Sequence, residues 1–254
     1  MGRGLAGLVA ALGVILAARG AAAAGGPFAN WAAIVVAGDY HAAHTNNPTQ
    51  TFDNARRDIA AELIRKGFSA ANLRQFSVRP ELYRDTDPGK ADLQPIYQTL
   101  KSLAAQATAG CLVYFTSHGA PQGVVLDGQI LPPPLMDQMI SDACGERPTI
   151  VIISACFSGV FVPMLADKNR MILTAARPDR SSFGCSESDK YPYFDACMLE
   201  SLPQAQSFMA LAPKVQACVS RREHGIGASP PSEPQVYIGP QLRLILPLMA
   251  LQPG

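Results

Sequence analysis

Two side chains in this sequence stand where a thiol and a base could work as one unit. Residues 111–118 (CLVYFTSH) and 149–156 (TIVIISAC) are segments of equal length, each an apolar run ending in a reactive side chain, His118 in one and Cys156 in the other. Short continuous apolar runs of this kind are the pattern of strands buried on both faces. A thiol of pKa ~8.5 is only a few per cent thiolate at neutral pH, and a nearby imidazole raises its reactivity as a base or a charge partner. If the two strands are neighbours in a parallel sheet, both side chains emerge at its carboxyl edge, where loops converge on a crevice. Cys156 is then a nucleophile within bonding reach of His118, its proton shuttle, and the chemistry is acyl transfer. Gly119 lets the backbone come close to a substrate, so its N–H and that of Cys156 form a candidate oxyanion hole. Residues 156–159 (CFSG) lead into a short helical turn whose dipole would favour thiolate and oxyanion alike. The plainer reading is that a cysteine closing a strand is a small hydrophobe and that a Ser-His-Gly turn means little alone.

The elements that must position these groups are legible around them. Residues 31–38 (WAAIVVAG) form a first buried strand ending at glycine. After a polar loop, residues 52–66 put Ala55, Ile59, Leu63 and Ile64 on one helical face, with Asp53 as N-cap and Gly67 past the end. Asp53, Arg56, Arg57 and Asp58 then form a charged, solvated face. Residues 73–78 read as a weaker strand, 80–90 as a loop, and 93–107 as a helix with Leu93, Ile96, Leu100 and Leu103 on one side. Asp127-Gly128 joins two apolar runs as a tight hairpin. Residues 132–144 are helical, 171–175 a strand, 192–202 and 206–222 helices, and 236–248 an edge strand. Strands alternating with helices predict an α/β fold with a mostly parallel sheet.

Composition narrows the class. The chain has 254 residues, 48% of them hydrophobic and 16% charged, which excludes disorder. Lys+Arg number 21 against 20 Asp+Glu, so no global positive field would draw in nucleic acid. The N-terminus has the layout of a secretory signal peptide: Arg3, an apolar run over residues 5–18, and a small-residue stretch cut after Ala24. Removing residues 1–24 takes away Arg3 and Arg19 and no acid, which leaves the mature chain near neutral. No later run is long enough for a membrane span, so stable membrane insertion is not expected, and the predicted location is periplasmic or secreted. Six cysteines in an exported chain permit disulfides. Cys111–Cys144 is the first expected bridge and Cys197 can pair with Cys218, although spacing alone leaves the connectivity open. No Cys or His spacing suggests a metal site: His41 and His44 lack a third ligand and read as solvated or pocket-rim residues. His224 reads as a solvated helix end.

Three ordered blocks resemble the legumain (asparaginyl endopeptidase) family of cysteine peptidases: residues 114–119 (YFTSHG), 154–159 (SACFSG) and 174–185 (TAARPDRSSFGC). The resemblance covers about residues 30–200. It implies a caspase-like three-layer α/β/α sandwich, residues 25–254 forming one peptidase domain, and a Cys/His dyad that cleaves peptide bonds with no cofactor. Residue by residue it implies His118 as the catalytic histidine, Cys156 as the nucleophile and Gly119 as the oxyanion-hole glycine. Ser181 and Ser182 fall where the family lines the pocket for the residue before the scissile bond, and Asp195 looks like the acid at that pocket's base. The chain departs from the family at Ser154, where legumains carry glutamate. Its loop over residues 39–52 offers His41, His44 and Gln50 in place of the family's arginine. For the asparagine that supports the catalytic histidine, Asp39 is the nearest candidate, and Asp39 reads equally as a turn residue. The Asn preference is therefore not carried over; Asp195 would favour Asn by hydrogen bonding or Lys/Arg by charge. The sequence does not continue into the long C-terminal prodomain seen in legumains, so control by such a segment is not expected.

The leading expectation is an exported cysteine endopeptidase acting on peptide or protein through a thioester acyl-enzyme. A transpeptidase or amide ligase would use the same acyl-enzyme, and a caspase-like binding scaffold would keep the fold without the chemistry. Oligomeric state has no sequence signal.

Overall fold

The structure is a computed structural model that describes residues 1–2 and 25–253, so the signal-peptide reading lies outside the described residues. Among the described residues there are ten strands: β1 (Trp31–Ala37), β2 (Leu73–Ser77), β3 (Gly89–Lys90), β4 (Gly110–Thr116), β5 (Gly119–Ala120), β6 (Gly123–Leu126), β7 (Gln129–Leu131), β8 (Thr149–Ser154), β9 (Arg170–Thr174) and β10 (Gln235–Ile238). Seven of them form one sheet in the order β10-β9-β8-β4-β1-β2-β3. Every pairing in it is parallel except that of β10 with β9. The other three make a small antiparallel sheet, β5-β6-β7, with the predicted turn at Asp127-Gly128.

The helices are α1 (Thr51–Arg65), α2 (Leu93–Gln106), α3 (Pro133–Cys144), α4 (Val162–Leu165), α5 (Tyr193–Ser201), α6 (Phe208–Gly225) and α7 (Pro240–Ile245). Strand alternation sorts the sheet's side chains between two cores. Ala33, Val35, Leu112, Tyr114, Ile150 and Ile152 pack with α1, α5 and α6. Ala32, Ile34, Val113, Phe115, Val151 and Ile153 pack with α2, α3 and α4. Both faces are therefore covered, which is why these strands read as unbroken apolar runs rather than alternating ones. Each buried Val, Leu or Ile contributes about 1.5–3 kcal/mol, so the central register is strongly specified. The result is the α/β/α sandwich with a mostly parallel sheet.

Two disulfides staple this frame. Cys111, at the start of β4, is bonded to Cys144 at the end of α3, and Cys197 on α5 is bonded to Cys218 on α6. The loops they close span 33 and 21 residues, for which chain entropy gives about 3–4 kcal/mol each. Cys156 and Cys185 are free.

Three readings of the sequence change. The last strand stops at Ile238, and Pro240 then opens α7; at Gly239, between them, a Cβ would lie 2.1 Å from the Asp167 carbonyl oxygen, so only glycine fits. The loop over residues 80–90 contains a 3₁₀ turn and β3. Asp53 is not the cap of α1, which begins at Thr51 after Gln50. It is buried and pairs with a fully buried Arg56 at 2.8 Å, while Ser77 Oγ donates to its other oxygen at 3.0 Å. Arg56 also donates to Gln75 Oε1 at 2.6 Å, so this pair ties α1 to β2. Arg57 and Asp58 do remain on the partly exposed side. Removing one member of a buried pair strands the other's charge, so Asp53→Ala should lower stability by about 3–5 kcal/mol in urea unfolding, whereas Arg57→Ala should cost under about 1 kcal/mol.

Candidate active site

The ladder between β4 and β8 sets Tyr114 beside Ile152 and Thr116 beside Ser154. It runs one step further, with the Ser117 N–H donating to the Ser154 carbonyl at 3.0 Å. His118 and Cys156 follow at neighbouring tips on the carboxyl edge of the sheet. Their closeness has a steric signature: a Cβ on Gly119 would sit 2.1 Å from the Cys156 carbonyl oxygen, so only glycine fits where the chain leaves His118. After Cys156 the chain turns sharply through Phe157, whose φ of 58° is left-handed, into a 3₁₀ turn over Ser158–Phe161. That backbone is costly for a bulky residue and is held by Phe157 N–H donating to the Arg180 carbonyl at 2.7 Å.

The partly exposed Cys156 sulfur makes its polar contacts with Ser182. The Ser182 N–H reaches it at 3.2 Å and the Ser182 hydroxyl at 3.5 Å. The expected hydrogen bond between thiol and imidazole is absent among the described residues. His118 Nε2 instead donates to the His41 carbonyl at 2.9 Å, which leaves Nδ1 as the basic nitrogen, and Phe52 packs edge-on against the ring at 5.0 Å. Ser181 is exposed next to Ser182.

Ser154 and Asp195 come together, but as a sealed unit. Asp195, on α5, is wholly buried and accepts three hydroxyl hydrogen bonds: Tyr114 at 2.5 Å, Thr116 at 2.9 Å and Ser154 at 2.7 Å. Hydroxyls from β4 and β8 thus occupy both oxygens of the acid that the resemblance sets at a pocket's base. Burial pushes the Asp195 pKa up to about 6, outweighing the three hydroxyl donors that favour the charged form. Burial and the adjacent carboxylate also hold the Tyr114 phenol well above its usual value.

Asp39 lies just past β1, where its Oδ1 accepts from the N–H groups of Tyr40 and His41 and from His41 Nδ1. His44 is exposed in a left-handed turn, and His224 is exposed at the end of α6. No residue type marks His41 as the histidine's partner, since the contact is a backbone carbonyl. Tyr114 and Thr116 were findable: they lie four and two residues before His118, on the face that α5 covers.

Fold and site together define a class, the cysteine peptidases of the caspase fold. The peptidase C13 family model matches residues 27–210, and the chain belongs to that family, which makes it a cysteine-type peptidase. Among solved structures it is similar to the crystal structure of caspase-1 from Spodoptera frugiperda, with 15% identity, a TM-score of 0.58, and coverage of 83% of this chain and 87% of that one. No curated protein matches significantly.

Asp195 supplies a pH test. Its pKa is higher folded, about 6, than unfolded, 3.8, so its stabilising contribution is complete below the unfolded value and is lost as pH rises through 6. Between about pH 4.5 and pH 7.5 the wild type should lose about 2 kcal/mol relative to Asp195→Asn, which cannot ionise, as read by urea unfolding at each pH.

Proposed function

We propose that this peptidase is an endopeptidase with Cys156 as nucleophile and His118 as general acid–base. The Cys156 sulfur attacks a peptide carbonyl, and its proton passes through His118 Nδ1 to the departing amine. The C–N bond breaks as a thioester forms, and water, activated by the same imidazole, releases the acid and regenerates the thiol. The observation that carries this reading is the in-register pairing of Thr116 with Ser154, which sets the two tips side by side. The resting thiol's contact with Ser182 is compatible with it, because catalytic hydrogen bonds commonly tighten only when substrate is bound.

Gly119 is the proposed oxyanion-hole donor. The Val125 N–H bonds the His118 carbonyl at 2.9 Å, and the antiparallel alternation then turns the Gly119 N–H away from β6, free to meet a developing oxyanion. Ser181 and Ser182 are proposed to line the pocket before the scissile bond, above the floor made by Ser154 and Asp195. Because Asp195 is wholly buried behind three hydroxyls, a substrate side chain would meet those hydroxyls rather than the carboxylate, which favours an uncharged hydrogen-bonding side chain over Lys or Arg. Residues 1–24 are proposed as a cleaved leader and the rest as one peptidase domain. Two disulfides favour an oxidising, extracytoplasmic location. No helix among the described residues is long and apolar enough to cross a membrane.

A peptide-library digest with iodoacetamide labelling tests this reading. Cys156 should alkylate faster than a model thiol. Cys156→Ala should abolish cleavage, a loss of at least about 1,000-fold in kcat/KM, with an unfolding midpoint close to wild type. Cleavage after Lys or Arg in preference to uncharged polar residues would refute the pocket assignment, and an active Cys156→Ala variant would remove the nucleophile.

A further inference from the structure

Several ends of the chain's elements meet at the amino edge of the sheet, opposite the edge that carries His118 and Cys156. α1 joins two parallel strands, β1 and β2, so it runs back from the carboxyl edge and finishes here. Gln252 packs on that finish: its N–H donates to the Lys66 carbonyl at 3.2 Å, and a Cβ on Gly26 would come within 2.9 Å of its Nε2. β10, antiparallel to β9, also runs toward this edge and delivers α7 to it, with the Gly239 N–H donating to the carbonyl of Arg170, the first residue of β9, at 2.8 Å. α7 and the 3₁₀ turn over Leu246–Leu248 then divide their side chains. Leu242 and Leu246 are fully buried in the core that α6 covers, whereas Leu244 is 75% and Leu248 79% exposed, with Ile245 exposed beside them. Ile64, in the last turn of α1, is exposed as well. Packing accounts for the inward leucines, and no packing among the described residues accounts for the outward ones. Residues 235–253 carry no acidic side chain, and their one charge is the exposed Arg243.

We propose that this edge rests on an anionic phospholipid surface, with Leu244, Ile245 and Leu248 in the boundary between headgroups and acyl chains and Arg243 among the lipid phosphates. The inference goes beyond the peptidase reading and does not depend on Cys156 or His118; it draws on the leader proposed for residues 1–24. The apolar run of that leader, residues 5–18, would enter a membrane during export, and the chain passes from it into the fold at Gly25 and Gly26. Leu248 lies four residues from Gln252, hence within about 14 Å of the residue that touches this point of entry. The outward leucines are therefore beside the bilayer while the leader is still attached, and remain suited to it once the leader is removed. A short apolar face with a basic flank lies on a membrane rather than spanning it, and one basic residue near an anionic surface strengthens binding about 5-fold. A second copy of the chain fits less well, because these few side chains fall far short of the roughly 20–30 residues a side of a stable protein interface. With the amino edge on the lipid, the carboxyl edge and its crevice face solution, open to a protein substrate.

The test mixes protein exported from its full-length gene, and confirmed by intact mass to have lost residues 1–24, with vesicles of phosphatidylglycerol and phosphatidylethanolamine. Wild type should co-sediment with them. Leu244→Ser/Leu248→Ser should lower the partition coefficient by at least about 10-fold, and Arg243→Gln by about 5-fold on these vesicles but not on phosphatidylcholine ones. Both variants should keep the wild-type unfolding midpoint and the wild-type rate of peptide cleavage in solution, since the altered side chains are on the surface at the far edge of the sheet. Wild type that stays in the supernatant overturns the proposal, as does a Leu244→Ser/Leu248→Ser variant that partitions like wild type. A wild-type dimer in sedimentation velocity that the same double variant turns into a monomer also overturns it, because the patch is then a contact between copies. A wild type that cleaves peptides and ignores vesicles sinks this proposal alone, whereas one that binds vesicles and cleaves nothing sinks only the Cys156/His118 reading.

Discussion

A one-residue slip of β4 would turn Tyr114 and Thr116 away from Asp195, and the same slip of β8 would turn Ser154 away, so either leaves the buried carboxylate short of donors. An uncompensated carboxylate in that setting costs several kcal/mol, so the ladder that pairs Thr116 with Ser154 is enforced by electrostatics as well as by apolar packing. The same ladder decides where His118 and Cys156 emerge. Register, burial of Asp195 and the juxtaposition of the two tips are thus one constraint seen at three depths of the sheet.

Asp195 also explains how a hydroxyl-rich strand end is tolerated inside a sandwich. Tyr114, Thr116 and Ser154 are each almost or wholly inaccessible and would each need a partner. One carboxylate serves all three, and α5 carries it into place beneath the strand tips. The cost is a raised pKa: burial pushes it up to about 6 against the pull of the three hydroxyl donors.

Much of this was legible before any coordinates. The buried strands announced themselves as apolar runs because both faces of the sheet are covered, and their shared length placed His118 and Cys156 at corresponding ends. Both disulfides join cysteines that the expected strands and helices bring near one another. What stayed hidden has a common physical character. Asp53 looked like a cap because its acidity fits a helix start, and nothing local reveals that Ser77 and Arg56 bury it. Asp195 looked like a pocket acid because its hydroxyl partners lie about 40 and 80 residues away. The His41 carbonyl left no trace in the sequence, since any residue supplies one. Long-range polar satisfaction, unlike hydrophobic period, is not written in neighbouring residues.

The two tips leave the sheet in opposite manners, and this accounts for the loops that surround them. His118 runs on into the β5–β6 hairpin, whereas Cys156 turns back at once through the left-handed Phe157. Neither tip is held by its own strand alone. The segment over residues 177–185 supplies the Arg180 carbonyl to Phe157 and Ser182 to the Cys156 sulfur, while residues 39–49 supply the His41 carbonyl to His118. These two segments are joined directly, Ala43 N–H donating to the Cys185 carbonyl at 2.8 Å. A displacement of either loop is therefore felt on both sides of the site. Thiol and imidazole keep a fixed relation without touching each other, because the loop that steadies one is tied to the loop that steadies the other.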